Sequence, residues 1–141
     1  MVTIISKVIL KQICNHAVAS YPEEACGLLF GQKDEDRKFV RAFRQAQNAA
    51  EGSRQNRYLI APIDLLGAEN FSRVQGWEVL GVFHSHPDHP ARPSEFDREH
   101  AILHYSYIIL SVTRGRVGEA TCWTLHDWGS PLASDELLVS D

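Results

Sequence analysis

The sequence predicts a mixed α/β fold, a central mixed sheet flanked by helices in a single domain, and three observations predict it. The chain has 141 residues, the usual size of one domain and enough to bury a core without disulfides or metal staples. Its apolar residues fall into several strand-length runs and a few stretches of helical period, in an order neither strictly alternating nor all-β. No internal repeat or low-complexity segment divides the chain, so residues 1–141 read as one unit.

A first helix is expected from Lys7 to Ser20, where Ile9, Leu10, Ile13, Cys14, Ala17 and Val18 recur as one buried face. Ser6 is placed to cap it, with Ile5 and Leu10 spaced for a hydrophobic staple. Tyr21-Pro22 ends it, because proline disfavours helical geometry in the residue before it. Ala25 to Gly31 is a continuous apolar run and reads as a buried strand. The polar run Gln32 to Arg37 reads as a turn, and Lys38 to Gln45 as its hairpin partner.

Arg57 to Ile60 is expected to form a short strand. Pro62 then opens a second helix over Ile63 to Val74, since proline suits the first helical turn. Glu78 to His84 reads as a strand, Ser94 to Leu103 as a helix, and Tyr105 to Val112 and Glu119 to Leu125 as two strands around Arg114-Gly115-Arg116. Leu137 to Val139 reads as a last edge strand.

Composition narrows the function classes. Hydrophobic residues make up 44% and charged residues 23%, which argues against disorder. The 18 acidic residues outnumber the 14 basic ones and no basic stripe appears, which argues against a nucleic-acid partner. The apolar runs are too short to span a bilayer, and Met1 to Lys7 lacks the basic-then-apolar layout of a signal peptide. Cys14, Cys26 and Cys122 are odd in number and far apart, as expected of reduced thiols in a cytoplasmic protein. Cys26 lies near Glu24 but reads as a buried strand cysteine, since a free thiol behaves as a small hydrophobe.

The chemistry is concentrated in residues 81–97. His84 and His86 close an apolar strand one residue apart, so both imidazoles emerge on the same face. Two neighbouring ligands of one tetrahedral metal require that placement. Pro87, Pro90 and Pro93 stiffen the loop that returns a helix start toward the strand end, and Asp97 is placed there as a third ligand. Two histidines and one carboxylate leave a fourth position for water, the layout of a catalytic zinc site.

Each piece has a plainer reading. A His-x-His is common on surfaces, and Ser94-x-x-Asp97 alone is a capping box. The combination in one short stretch favours the metal. His89 reads as a solvent-facing loop residue. His16, His100, His104 and His126 lack partners at ligand spacing, and the pair His100/His104 on one helix face has no glutamate between for an H-E-x-x-H site.

These residues resemble the JAMM (MPN-plus) metalloprotease family, whose signature is an upstream glutamate, then His-x-His, seven residues, Ser, two residues and Asp. Here His84-Ser85-His86, Pro87 to Pro93, Ser94, Glu95-Phe96 and Asp97 match it fully. The glutamate corresponds to Glu24, in preference to its neighbour Glu23, and Asn56 to Pro62 is similar to the family's short strand before the second helix. The resemblance implies a cytidine-deaminase-like fold, zinc on His84, His86 and Asp97, Glu24 as general base and acid, and Ser94 as oxyanion support. A Ser94 that serves the oxyanion is expected to compete with its role as helix cap.

The chain is most similar to compact prokaryotic members found beside sulfur carriers of the ThiS/MoaD type. The resemblance therefore implies hydrolysis of an amide bond after the Gly-Gly tail of a ubiquitin-like or sulfur-carrier protein. A non-catalytic MPN-type scaffold is expected to lose ligands that this chain keeps. A repair-associated role is disfavoured by the acidic balance, and a zinc deaminase by the missing Pro-Cys-x-x-Cys half-site.

Overall fold

The computed structural model describes every residue from Met1 to Asp141. In chain order the elements are β1 (Val2–Ser6), α1 (Lys7–Ser20), β2 (Cys26–Asp34), β3 (Arg37–Ala46), α2 (Pro62–Val74), β4 (Glu78–Pro87), α3 (Glu95–Glu99), β5 (Ser106–Thr113), β6 (Arg116–Thr124) and β7 (Ala133–Ser140). The strands pair in the order β1-β3-β2-β4-β5-β6-β7, and β7 returns to β1 to close the sheet into a barrel. The pairings β1·β3, β1·β7 and β4·β5 are parallel and the others antiparallel. The mixed α/β class with flanking helices is the one the sequence predicts.

Alternation along the strands sorts the core into two layers. Ile13 and Ala17 of α1 pack with Leu29, Val40, Leu80, Phe83, Ile108 and Leu110. Ala68 of α2 packs on the opposite face with Leu28, Phe30, Val82 and Tyr107. His84 and His86 share the parity of Val82 and so belong to the α2 face. The expected caps are present: Ser6 Oγ accepts the Ile9 amide at 3.2 Å, and Pro62 occupies the first turn of α2.

Closure of the barrel explains most departures from expectation. Val2–Ser6 is a strand whose partners lie at the far ends of β3 and β7. The expected edge strand at Leu137–Val139 is the later part of β7 and pairs with β1, while Ala133–Asp135 at the start of the same strand pair with β6. Arg57–Ile60 forms no strand, because a closed sheet leaves no edge for it to join. The Gln32–Arg37 turn tightens to Glu35-Asp36, with Glu35 at φ 58° and β2 running to Asp34.

The third helix is shorter than expected and stops at Glu99. Ile102 donates its amide to the Tyr107 hydroxyl at 2.6 Å, in place of a helical carbonyl. His104 takes φ 67°, so it does not share a helix face with His100.

One charge lies inside the barrel. Lys38 is fully buried, and its ammonium donates to the His104 carbonyl at 2.6 Å, to Ser106 Oγ at 2.8 Å and to the Leu80 carbonyl at 3.5 Å. Burial disfavours its charged form and lowers its pKa to about 8 from 10.5. Between those values the unfolded chain holds a proton that the folded chain has released, so stability contributed at this position rises with pH. The unfolding free energy of the wild type, relative to Lys38→Met, is expected to be flat below pH 8 and to climb up to pH 10.5. Urea titrations of both proteins across that window measure it, and a falling difference would show that the lysine is held charged throughout.

Candidate metal centre

β2 and β4 build the floor of the site. Their antiparallel register sets Cys26 opposite His84 and Gly27 opposite Phe83. Just before β2 begins, Ser85 Oγ accepts the Ala25 amide at 2.8 Å, and the Ser85 amide returns to the Ala25 carbonyl at 3.0 Å. Ser85 points away from its two histidine neighbours, so the residue between them holds the strand that delivers Glu24. Glu24 is 5% exposed, whereas Glu23 faces solvent.

Asp97 arrives from the first turn of α3. Ser94 caps that helix: its Oγ accepts the Asp97 amide at 3.0 Å, and Asp97 Oδ2 accepts the Ser94 amide at 2.9 Å. The capping reading of Ser94-x-x-Asp97 therefore holds. It does not compete with an oxyanion role as expected, because the cap uses a lone pair of Oγ and leaves its O–H free to donate.

The structure brings all of the expected site residues together. Asp97 Oδ2 stands 3.0 Å from His86 Nε2 and 3.8 Å from His84 Nε2. Glu24 Oε1 stands 3.5 Å from His84 Nδ1, and Glu24, His84 and His86 place ligand atoms within 4.8 Å of one another. Ser94 lines a cleft of about 320 Å³ with Glu24, Asn56, His86, His89 and Arg92. His89 is exposed, as expected, but on the wall of this cleft.

Three observations fit the group to a cation. His86 Nδ1 lies 2.8 Å from the Pro90 carbonyl, which can only accept, so that nitrogen carries the proton. In the neutral ring, Nε2 then turns a lone pair on a carboxylate oxygen, so the contact calls for a cation between them, either a ring proton or a metal ion. Both ring nitrogens of fully buried His84, and Glu24 Oε1, have no hydrogen-bond partner. Buried polar atoms are rarely left so. Finally, tetrahedral ligands at about 2.0–2.1 Å from one metal sit about 3.3 Å from each other, a spacing bracketed by the 3.0 and 3.8 Å separations at Asp97.

Titration follows the same electrostatics. Burial pushes Asp97 up, but the two imidazoles and the Ser94 amide outweigh it and hold its carboxyl at about 2. Burial lowers His86, and the Asp97 carboxylate and Pro90 carbonyl more than restore it, leaving it raised. Cys26 is pushed up to about 12 by burial and by Glu24, which makes it the inert strand thiol the sequence suggests.

Residues 6–126 match the family described as prokaryotic homologs of the JAB domain. The chain is 32% identical to the desampylase of Haloferax volcanii over 85% of its own length and 80% of the relative's. It is 28% identical to a probable TtuB-protein conjugate cleaving protease of Thermus thermophilus, over 77% of its length and 70% of the relative's. A JAB1/MPN domain protein from Archaeoglobus fulgidus shares the fold, with a TM-score of 0.60 at 22% identity over the whole of this chain and 98% of that one. No helix is long and apolar enough to cross a membrane.

Two positioning residues gave no sign in the sequence. Tyr58 stacks on His84, ring centres 4.3 Å apart and 21° from parallel. Asn48 donates to the carbonyls of Glu24 at 3.1 Å and Arg57 at 2.9 Å, and accepts the amides of Ala50 at 3.0 Å and Leu59 at 3.2 Å. That fills all four of its bonding positions and ties residues 50–59 to Glu24. Asn48→Ala is expected to cost about 1–3 kcal/mol of stability and to speed hydrogen exchange at the Ala50 and Leu59 amides. Exchange rates unchanged at both amides would show that other contacts hold the segment.

Proposed function

The chain belongs to the family of prokaryotic homologs of the JAB domain, and from that premise we propose a specific reaction. It is a zinc metallopeptidase of the JAMM type that hydrolyses the amide bond after the Gly-Gly tail of a ubiquitin-like or sulfur-carrier protein of the ThiS/MoaD class. The observation that carries this reading is the buried convergence of Glu24, His84, His86 and Asp97, with His84 and Glu24 left unpartnered.

His84, His86 and Asp97 are the metal ligands. The Nε2 atoms of both rings turn toward Asp97, and the Glu24 carboxylate lies within 4.8 Å of ring nitrogens of both histidines, in reach of water beside them, which suits it to proton transfer. Two imidazoles and a carboxylate suit zinc, which supplies a Lewis acid and lowers the pKa of a coordinated water toward about 7. Glu24 takes the proton released from water at Oε1 and delivers it to the leaving nitrogen. The free O–H of Ser94 donates to the carbonyl oxygen as negative charge develops there.

The substrate assignment has two supports. The Thermus relative is named for cleaving TtuB-protein conjugates, which supports a protein carrier here. The cleft is small, and a glycine tail lets the backbone approach the floor where a side chain would not. Residues 1–141 act as one catalytic domain, in a cytoplasm that keeps Cys14, Cys26 and Cys122 reduced.

Purified protein is expected to carry about one zinc per chain, and His84→Ala and Asp97→Asn to lose it by metal analysis. Glu24→Gln is expected to keep zinc while cleavage of a carrier-protein adduct stops. Unchanged metal content in the first two variants would sink the ligand set. Full activity in the third would move the base elsewhere, to Glu23 first.

A further inference from the structure

Arg92 stands on the wall of the cleft that holds Glu24, His86 and Ser94, and hydrolysis as described leaves it without a role. Its root is fixed. Ala91 is fully buried, its amide donates to Glu119 Oε1 at 3.3 Å, and its carbonyl accepts Thr121 Oγ1 at 2.6 Å. The Arg92 amide donates to the Pro90 carbonyl at 2.8 Å, and that same carbonyl holds His86 Nδ1. One turn therefore sets both the orientation of the metal ligand and the base of the arginine.

Its guanidinium remains free. Nearby, Arg98 pairs with Glu95, Arg54 donates to the Ala50 carbonyl, and Arg57 lies over the Phe96 ring. Arg92 takes part in none of the protein's ion pairs and is exposed. Among the side chains lining the cleft, the only other one charged in its ordinary state at neutral pH is Glu24. The cleft thus offers a proton donor for a leaving amine and a planar cation for an anion close to it.

We propose that Arg92 is a specificity-determining residue that binds the free α-carboxylate of the leaving group. The preferred substrate is then a carrier whose terminal glycine is joined to the α-amine of a single amino acid. This rests on the amide-hydrolase reading above. Water oxygen bonds to the glycine carbonyl carbon, the C–N bond breaks, and Glu24 passes the proton from water to the departing nitrogen. The products are the carrier carboxylate and a free amino acid. That amino acid bears its carboxylate on the carbon next to the departing nitrogen, and Glu24 and Arg92 line the same cleft. The guanidinium fork matches a carboxylate with two parallel hydrogen bonds. A lysine isopeptide presents a flexible methylene stem at that place and no carboxylate.

The test uses a Gly-Gly carrier protein extended by one alanine, either as the free acid or as the C-terminal carboxamide. Zinc-loaded wild type is expected to cleave the acid with a kcat/KM about ten- to a hundredfold higher, and Arg92→Gln to bring the ratio near one. Calorimetric binding of the two carriers to the Glu24→Gln protein is expected to show the same preference, again levelled by Arg92→Gln. Equal cleavage of acid and carboxamide by wild type, a preference that survives Arg92→Gln, or equal binding of the two carriers overturns the proposal. Failure of the hydrolase reading has a different signature: neither carrier is cleaved, while binding still separates acid from carboxamide.

Discussion

Ser85 accepts the Ala25 amide on its hydroxyl and returns its own amide to the Ala25 carbonyl, and these two bonds fix where β2 lies against β4. Everything catalytic hangs from that register. A slip of one residue turns each side chain to the opposite face and would carry Glu24 away from His84. Packing guards the same register: a Cβ on Gly27 would lie 2.3 Å from the Phe83 ring, and one on Gly81 would lie 1.8 Å from the Ser106 carbonyl oxygen. Glycine is required at both places so that β2 and β5 can close on β4 from its two sides.

The interior treats its charges in two ways, and the contrast identifies the working one. Lys38 is buried as deeply as any ligand, yet three acceptors surround its ammonium. This fold can therefore satisfy a buried ion completely. At the proposed metal centre it does not: the His84 ring makes no hydrogen bond, and Glu24 Oε1 faces it at 3.5 Å without one. Leaving such atoms unpaired costs about 1–3 kcal/mol each, which a structure retains where a bound group repays it.

What was legible in the sequence was local. The first helix and its Ser6 cap, Pro62 at the start of the second, and the strand that bears His84 and His86 all follow from period and punctuation within a few residues. Asp97 follows from spacing as well as from the family pattern, whereas Glu24 and the oxyanion role of Ser94 rest on that pattern alone, since no spacing rule joins Glu24 to a strand 60 residues away. Contacts closed by the barrel could not be read at all. β1 is a short strand whose partners are the start of β3 and the end of β7, and Asn48 is a polar residue in an irregular segment whose four bonds appear only after folding. The over-long third helix failed for a related reason. Ala101 and Leu103 are apolar residues that continue the stretch after α3, but they pack as a loop into the core with Ala68 of α2.

The dependence between α3 and the site runs in both directions. A helix of five residues cannot hold itself in water, so its place is set by its ends. At its start, Asp97 Oδ2 both closes the capping box with Ser94 and meets His86 at 3.0 Å. The carboxylate that the helix presents to the histidines is thus also what keeps the helix there. The loop before it is pinned by Asp88 to the Val112 carbonyl, by His89 to Ser111 and by Ala91 to Thr121. Asp97, the cap and the cleft wall are therefore tied together by hydrogen bonds. The cap and the proposed oxyanion role of Ser94 are compatible because the two demands fall on opposite ends of one hydroxyl, so one short segment can meet both.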